Sequence, residues 1–117
     1  MSLQHINRGD IYWARLDLTI GAEIKKTRPV LVVSNNINNR YSPLVTVLPL
    51  TSNVKKLYPY EVFIDEGVAG LKNASTIKAN QIKTIDKNRI SGNLIGSITG
   101  TDVMEQVNKA IKVHLYL

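Results

Sequence analysis

The sequence has no cysteine and only two histidines, His5 and His114, among its 117 residues. The lack of cysteine excludes disulfides, thiolate nucleophiles and zinc–thiolate sites. Two histidines cannot build a histidine-rich metal site within one chain, and the few carboxylates do not recur at metal-ligand spacing. No phosphate-binding loop, dinucleotide fingerprint or nucleophile elbow is present. We therefore expect neither a bound metal nor a cofactor.

Long apolar runs are also missing, since none approaches the roughly 20 residues of a membrane-spanning helix. The N-terminus has no apolar core of the kind found in signal peptides. With 44% hydrophobic and 21% charged residues, the composition is ordinary for a globular protein. We expect a single cytoplasmic domain over residues 1–117, in which residues 1–7 form a loose arm.

Acidic residues are scarce relative to basic ones. Nine Asp and Glu stand against fifteen Lys and Arg, which gives a net charge of +6. Such a balance suits an anionic partner such as nucleic acid. The alternative at this point is a charge surplus that only keeps the surface soluble.

Short apolar runs separated by turn residues predict β-strands along most of the chain. Strands are expected over 10–18, 28–36, 44–52, 60–64, 75–85 and 88–98, with a turn over 36–43. The run after Arg28 is apolar throughout and predicts a strand buried on both faces. Pro49 suggests a sheet edge or a bulge, and the mixed order of isoleucines in 75–85 predicts a bend.

From Thr101 the apolar residues recur at helical spacing, which predicts one amphipathic helix packed on the sheet. Thr99 and Thr101 are candidate N-caps. His114 falls on the apolar stripe of this helix, where a packing role is favoured over a catalytic one. The predicted fold is mostly β with a C-terminal helix, a small and strongly bent sheet or barrel.

The segment KKTRPVLVVSNN, residues 25–36, places positively charged residues at the start of the buried strand. Pro29 pushes the backbone of Arg28 towards extended geometry, so its planar guanidinium lies at the strand end and can bind a phosphate with two hydrogen bonds. Thr51 and Ser52 end another apolar strand with adjacent hydroxyls. If the two strands are neighbours, a guanidinium and a hydroxyl converge on one anion.

Further polar and aromatic residues flank these strand ends. Lys25 and Lys26 precede Arg28, and Lys55 and Lys56 follow Thr51, which would extend a positive surface along a strand of nucleic acid. Three tyrosines, Tyr41, Tyr58 and Tyr60, either stack on bases or cover the edges of the core. Asp10, after a glycine, is expected to form a turn at a strand entrance.

In their order, six segments resemble the MazF/PemK family of toxins. They are RGDIYWARLD, GAEIKKTRPVLVVSN, VLPLTS, YPYEV, QIKTIDKNRI and MEQVNKAIKVHLYL. Each piece alone is weakly specific, but the ordered set is strong and covers nearly the whole chain, from about residue 8 to residue 115. The resemblance implies an SH3-like barrel with helical additions that assembles as a homodimer.

The resemblance also implies an activity, a metal-independent endoribonuclease that cuts single-stranded mRNA at short motifs. The family's catalytic arginine falls on Arg28 and its catalytic hydroxyl on Thr51. Its gating loop corresponds to residues 18–27, and Asn80 stands where some members carry an acidic residue. The expected RNA-binding residues are Ser52, Gln81, Lys25, Lys26, Lys56 and Asn36. The implied partners are RNA and an acidic antitoxin with a disordered C-terminal segment.

The expected chemistry is attack of a ribose 2′-hydroxyl on the adjacent phosphate, giving a 2′,3′-cyclic phosphate and a free 5′-hydroxyl. Fixed donors such as Arg28 and Thr51 suit the charge that develops on the phosphoryl oxygens. The alternative function is a non-catalytic binder on the same barrel, either a CcdB-like gyrase poison or an RNA-binding SH3-like domain. The presence of both Arg28 and Thr51 favours the nuclease.

Overall fold

The computed structural model describes residues 5–16, 21–23, 26–54 and 57–117. Within them the strands are β1 Asp10–Arg15, β2 Thr27–Val32, β3 Leu44–Thr51, β4 Glu61–Ile64, β5 Ser75–Lys78, β6 Lys83–Asp86 and β7 Ile90–Ser97. The helices are α1 Asn36–Tyr41 and α2 Asp102–Leu115. The prediction of a mostly β fold with a C-terminal helix is confirmed. No helix in the described part of the chain is long and apolar enough to cross a membrane.

The strands form one antiparallel sheet in the order β4-β5-β3-β2-β1-β7, and β6 also pairs with β3. β3 is the central strand. Its first half, Leu44–Val47, faces β6, and its last two residues, Leu50 and Thr51, face β5. A 3-10 turn at Ala79–Gln81 joins β5 to β6 along that edge. This turn is the bend that the sequence predicts within residues 75–85.

Among the described strands no hydrogen-bonded ladder closes the sheet, but a turn brings its two ends together. The 3-10 turn Val68–Gly70, which follows β4, lies against β7. A Cβ atom built on Gly96 of β7 would lie 2.0 Å from the carbonyl oxygen of Ala69, and one on Gly70 would lie 2.3 Å from that of Ile95. Only glycine allows two backbones to approach so closely. The fold is therefore a bent, barrel-like sheet.

β2 is buried on both faces, as its continuous apolar run predicts. Leu31 belongs to a core that packs against α2, whereas Val30 and Val32 belong to a second core on the other face. All three side chains are fully buried. Ile6 also packs in the second core, so residues 5–7 do not form the loose arm that the sequence suggests.

The C-terminal helix α2 follows its predicted pattern closely. Thr101 is the N-cap, since its Oγ1 accepts a hydrogen bond from the backbone N–H of Met104 at 3.4 Å. Met104, Val107 and Ala110 are the buried residues of the stripe. His114, by contrast, is exposed on the last turn, and its ring centroid lies 6.4 Å from that of Tyr60.

The prediction of a turn over residues 36–43 is wrong, because the chain forms the short helix α1 there. Asn35 caps this helix, its side chain accepting from the N–H of Asn38 at 2.8 Å. Asn39 is buried and donates from its amide to the carbonyl of Ser34 at 2.8 Å. Asparagine is typical of turns, but it is equally a strong N-cap, and here capping prevails.

Candidate functional site

Arg28 and Thr51 lie at the same end of two neighbouring strands. The ladder between β2 and β3 pairs Val32 with Val47 and ends with Val30 opposite Pro49. Two residues beyond that pair, each strand carries one of the predicted site residues. Cross-strand partners share a face, and side chains two residues apart along a strand do so as well. Arg28 and Thr51 therefore project from one face of the sheet, at its mouth.

Thr51 is half-buried, and it contacts the backbone that follows it and the neighbouring strand β5. Its Oγ1 accepts a hydrogen bond from the N–H of Asn53 at 3.2 Å. Across the ladder to β5 it stands directly opposite Thr76. Thr76 is 3% exposed, and its Oγ1 is a buried side-chain atom with no hydrogen-bond partner in the part of the chain that the structure describes. The hydroxyls of Thr51 and Thr76 thus lie on two adjacent strands, β3 and β5, and Arg28 lies on β2 at the other side of β3.

A groove of about 540 Å³ opens at this end of the sheet, and we call it the mouth groove. Its lining residues in the described chain are Trp13, Thr27, Arg28, Pro29, Leu50, Ser52, Gly70, Leu71, Lys72, Asn73, Ser75 and Ile95. They include two cations and several hydroxyls, but no carboxylate. Thr51 is not part of this lining; side chains alternate along a strand, and its neighbours Leu50 and Ser52, which line the groove, point to the other face. The arrangement suits an anionic ligand.

Of the residues that line the mouth groove, sequence reasoning named only Arg28 and Ser52 as site residues, and the missed ones include Trp13 and Lys72. Trp13 is 46% exposed, although four of the six residues of its strand are buried. Its signal was available, because Trp13 alternates with Tyr12 and Ala14 and shares the parity of the polar Arg15. Lys72 follows the turn Val68–Gly70 that packs against β7, and no sequence pattern indicates that this turn forms a wall of the groove.

Of the four lysines that the sequence suggests for RNA binding, only Lys26 lies within the described residues. Lys26 is exposed just before β2, and its carbonyl accepts from the N–H of Leu16 at 2.9 Å. Its φ of 67° lies in the left-handed region, which is uncommon for a lysine. Lys25, Lys55, Lys56 and part of the loop 18–27 lie outside the described residues.

Two further predicted RNA-binding residues do not line the mouth groove. Gln81 is half-buried in the 3-10 turn on the β3 edge away from β2. Asn36 lies beyond the opposite end of β2 from Arg28, and its Oδ1 accepts from the N–H of Arg8 at 2.7 Å. It lines a different cavity, of about 850 Å³, together with Arg40 and Lys87. Their assignment to RNA stays a prediction.

Of the three tyrosines, one covers the core and two are exposed, and base stacking by the exposed two stays a prediction. Tyr60 packs against the core beneath α2, and its ring stacks on that of Tyr58 with centroids 5.5 Å apart. Tyr58 is 50% exposed and Tyr41 is 78% exposed. Tyr41 lines the cavity of Asn36 rather than the mouth groove.

Asp10 is a turn residue, as predicted. Its carboxylate accepts from the N–H of Asn7 at 3.0 Å, and its own N–H donates to the Asn7 carbonyl at 3.1 Å. Burial raises the pKa of Tyr12 to about 12, and the charge of Asp10 and a hydrogen bond to it add to the effect. Within the described ranges no three His, Asp or Glu side chains form a group that could hold a metal ion.

The fold and the groove together define a small β-protein with a basic, hydroxyl-bearing site at the mouth of its sheet. Comparison with known proteins then identifies its family. Residues 7–115 match the family described as PemK-like, MazF-like toxin of type II toxin–antitoxin systems. The chain belongs to this family.

Individual relatives are similar over nearly their whole length. The endoribonuclease EndoA of Bacillus subtilis is 36% identical over 113 residues, which cover 96% of each chain. The endoribonuclease MazF of Staphylococcus saprophyticus is also 36% identical, over 96% of this chain and 92% of its own. Among solved structures, a mycobacterial endoribonuclease in complex with its cognate antitoxin superposes with a TM-score of 0.77 at 27% identity, over 96% of both chains.

Proposed function

We propose that this MazF-type endoribonuclease cleaves single-stranded mRNA at short sequence motifs without a metal, using Arg28 and Thr51. The observation that carries the proposal is their common position, two residues beyond the last β2–β3 pair and on one face. A guanidinium and a hydroxyl so arranged can bind the same phosphate from two sides. The family and the relatives named endoribonucleases supply the type of reaction.

The proposed reaction is an internal transfer within the RNA. The ribose 2′-oxygen forms a bond to phosphorus while the bond from phosphorus to the 5′-oxygen breaks. Negative charge grows on the phosphoryl oxygens in the transition state, and preorganised donors stabilise it. The products are a 2′,3′-cyclic phosphate and a free 5′-hydroxyl.

We assign to Arg28 and Thr51 the role of those donors. A guanidinium stays protonated at neutral pH, so Arg28 is a donor rather than a base. It hydrogen-bonds the phosphoryl oxygens and donates a proton to the leaving 5′-oxygen in the transition state. The 2′-hydroxyl gives its proton to solvent water, and the neutral guanidine takes one back from solvent, so no net proton is consumed or released. The Thr51 hydroxyl, whose oxygen already accepts from Asn53, directs its own proton to the phosphate.

The mouth groove offers the contacts that a single strand needs on either side of the cut. Lys72 lies in the groove wall and Lys26 is exposed just before β2, so both can meet backbone phosphates. The exposed ring of Trp13 provides a surface on which a base can stack. Ser52 and Asn73 carry hydrogen-bonding groups that can read base edges in an unpaired strand.

We also propose a homodimer and an acidic antitoxin as partners. The mycobacterial relative was solved with its cognate antitoxin, and the groove of this chain has positive charge and no lining carboxylate among its described residues. An acidic, disordered segment that lies in the same groove would exclude RNA. Sedimentation of the purified chain, whose protomer mass is 13.1 kDa, measures whether it is a dimer.

The experiment that tests the nuclease is cleavage in EDTA. The purified protein is incubated with a long single-stranded RNA, and the ends of the products are mapped. We expect discrete cuts that leave 2′,3′-cyclic phosphates. Arg28→Ala should lower the cleavage rate by at least about a hundredfold, the usual cost of one transition-state donor. Arg40→Ala, an exposed arginine on α1 outside the groove, is the matched control and should cut normally.

The outcomes separate the competing functions. Cuts that require added metal would contradict the proposed chemistry. No cutting by folded wild-type protein, combined with binding of the RNA, would indicate a binding module instead. A melted or aggregated Arg28→Ala variant would show that Arg28 supports the fold, and Arg28→Lys would then test its role, because a lysine keeps the charge but loses the planar fork.

A further inference from the structure

A buried hydroxyl without a partner lies directly beside the proposed site. Thr76 on β5 is 3% exposed, and among the described residues no atom accepts from or donates to its Oγ1. Leaving such a group unpaired is costly, whereas an apolar residue of the same shape carries no such cost. Valine has that shape and an equal preference for strands. A threonine here therefore indicates a use for its hydroxyl that the resting chain does not show.

A second threonine pair on the same strand shows what is unusual about Thr76. Thr46 on β3 lies directly opposite Thr84 on β6, and their Oγ1 atoms are 2.8 Å apart, a good hydrogen bond. Thr51 on β3 lies opposite Thr76 in the same kind of register, but the two hydroxyls do not bond. Directly opposite side chains have Cβ atoms about 5 Å apart, so either pair can bond with suitable rotamers.

We propose that Thr76 is a positioning residue for Thr51, an inference that rests on the proposed nuclease function. When the phosphate enters, the Thr76 hydroxyl donates to the oxygen of Thr51. Thr51 Oγ1 already accepts from the N–H of Asn53, so this second bond fills its remaining acceptor site. The proton of the Thr51 hydroxyl is then left with one direction, towards the phosphoryl oxygen. A fixed donor needs no reorganisation during the reaction.

The test compares three variants in single-turnover and steady-state cleavage of a short synthetic RNA that carries one mapped cut site. Thr76→Val removes only the hydroxyl and should lower kcat by about tenfold, the value of one neutral hydrogen bond, with KM unchanged. Thr76→Ser restores the hydroxyl and should recover the rate to within about threefold, since serine is less restricted at χ1. Thr84→Val, the matched control, breaks the bonded pair and should leave kcat unchanged.

Thermal unfolding supplies a readout independent of activity. Thr76→Val should melt at or above the wild-type temperature, because it removes an unpaired polar group, whereas Thr84→Val should melt below it. A lower melting temperature for Thr76→Val would show that the hydroxyl has a partner in the resting protein, and would overturn the inference.

The kinetic outcomes distinguish this inference from the proposed function. If the wild type cleaves and Thr76→Val cleaves equally well, Thr76 is not a positioning residue, while the nuclease stands. A rise in KM without rescue by serine would assign Thr76 to packing of the groove and also contradict the inference. If folded wild-type protein does not cleave RNA, both proposals fail together.

Discussion

The contact between Asp10 and Tyr12 joins the entrance of β1 to the second core. The Tyr12 hydroxyl lies 3.4 Å from the Asp10 carboxylate, and both residues are buried. Burial disfavours the ionised form of Tyr12, and the negative charge of Asp10 and the hydrogen bond to it add to this effect, so the pKa of Tyr12 is raised to about 12. The unfolded tyrosine ionises near pH 10, so the two states differ in protonation between those values.

We predict that this contact makes the protein alkali-sensitive. From pH 10 to about 12 the unfolded chain loses the Tyr12 proton first, so the free energy of unfolding falls as pH rises. A pKa difference of two units between the folded and unfolded states lowers the free energy of unfolding by about 2 kcal/mol over this pH range. Urea unfolding of the wild type and Tyr12→Phe over this range should show the wild-type advantage shrinking by that amount.

The control for this prediction is Tyr41→Phe, since Tyr41 is 78% exposed on α1. Its pH dependence should run parallel to that of the wild type. If Tyr12→Phe also runs parallel, then the hydroxyl of Tyr12 is not protected from ionisation by burial, and the alkaline sensitivity has another source.

At the scale of elements, the close approach of a turn to β7 shapes the groove. The turn Val68–Gly70 lies against Ile95 and Gly96, and it leads directly into Leu71 and Lys72 of the groove wall. Gly96 is therefore a packing requirement, since a Cβ there meets the Ala69 carbonyl at 2.0 Å. The wall of the groove depends on a contact made by backbone.

We predict that Gly96→Ala both destabilises the protein and weakens RNA binding. Overpacking of this kind costs about 1–3 kcal/mol, and relief of the clash must move the turn outwards together with Lys72. The free energy of unfolding, measured with urea, and the affinity for RNA should both fall. Asn93→Ala, an exposed substitution in the same strand, is the control and should change neither. Lower stability with unchanged RNA affinity would remove this turn from the binding site.

The two helices show which elements a sequence can predict. α2 carries a complete local signal, with a capping threonine and a stripe of buried residues at helical spacing. α1 has six residues, and its formation depends on the cap at Asn35 and the buried amide of Asn39. The second condition is a tertiary contact. Local pattern alone therefore indicated a turn, although the asparagines that form the helix were all visible.

At the scale of the whole molecule, the neighbouring positions of Arg28 and Thr51 could be predicted from the sequence, but the walls of the mouth groove could not. Arg28 and Thr51 end two apolar runs, and two neighbouring strands with their ends together are a common outcome of antiparallel pairing. The wall formed by Lys72 and Asn73 depends on how the sheet bends back on itself. That bend brings residue 70 to residue 95, a contact that no spacing within either segment encodes.

The basic residues behind the net charge of +6 also act at this scale, because those that contact phosphates determine how RNA binding responds to salt. Each lysine that neutralises a phosphate releases counterions, so the logarithm of the affinity falls linearly with the logarithm of salt concentration. A general surplus of charge would spread this dependence over many lysines. A defined groove concentrates it in the few that touch the strand, and Lys26 is exposed beside the groove member Thr27.

We therefore predict that Lys26→Ala lowers the slope of this plot by about 0.7 to 1 unit, the share of one phosphate contact on a single strand. Binding is measured with RNA carrying a 2′-O-methyl group at the cut site, so that the nucleophile is blocked and only association is seen. Lys109→Ala, on the exposed face of α2, removes the same charge away from the groove and should leave the slope unchanged. Equal slopes for both variants would mean that net charge, and not a groove at the strand mouth, attracts the RNA. A change confined to Lys26 would assign the excess charge to a site, in agreement with two cations and no carboxylate in the described lining of the mouth groove.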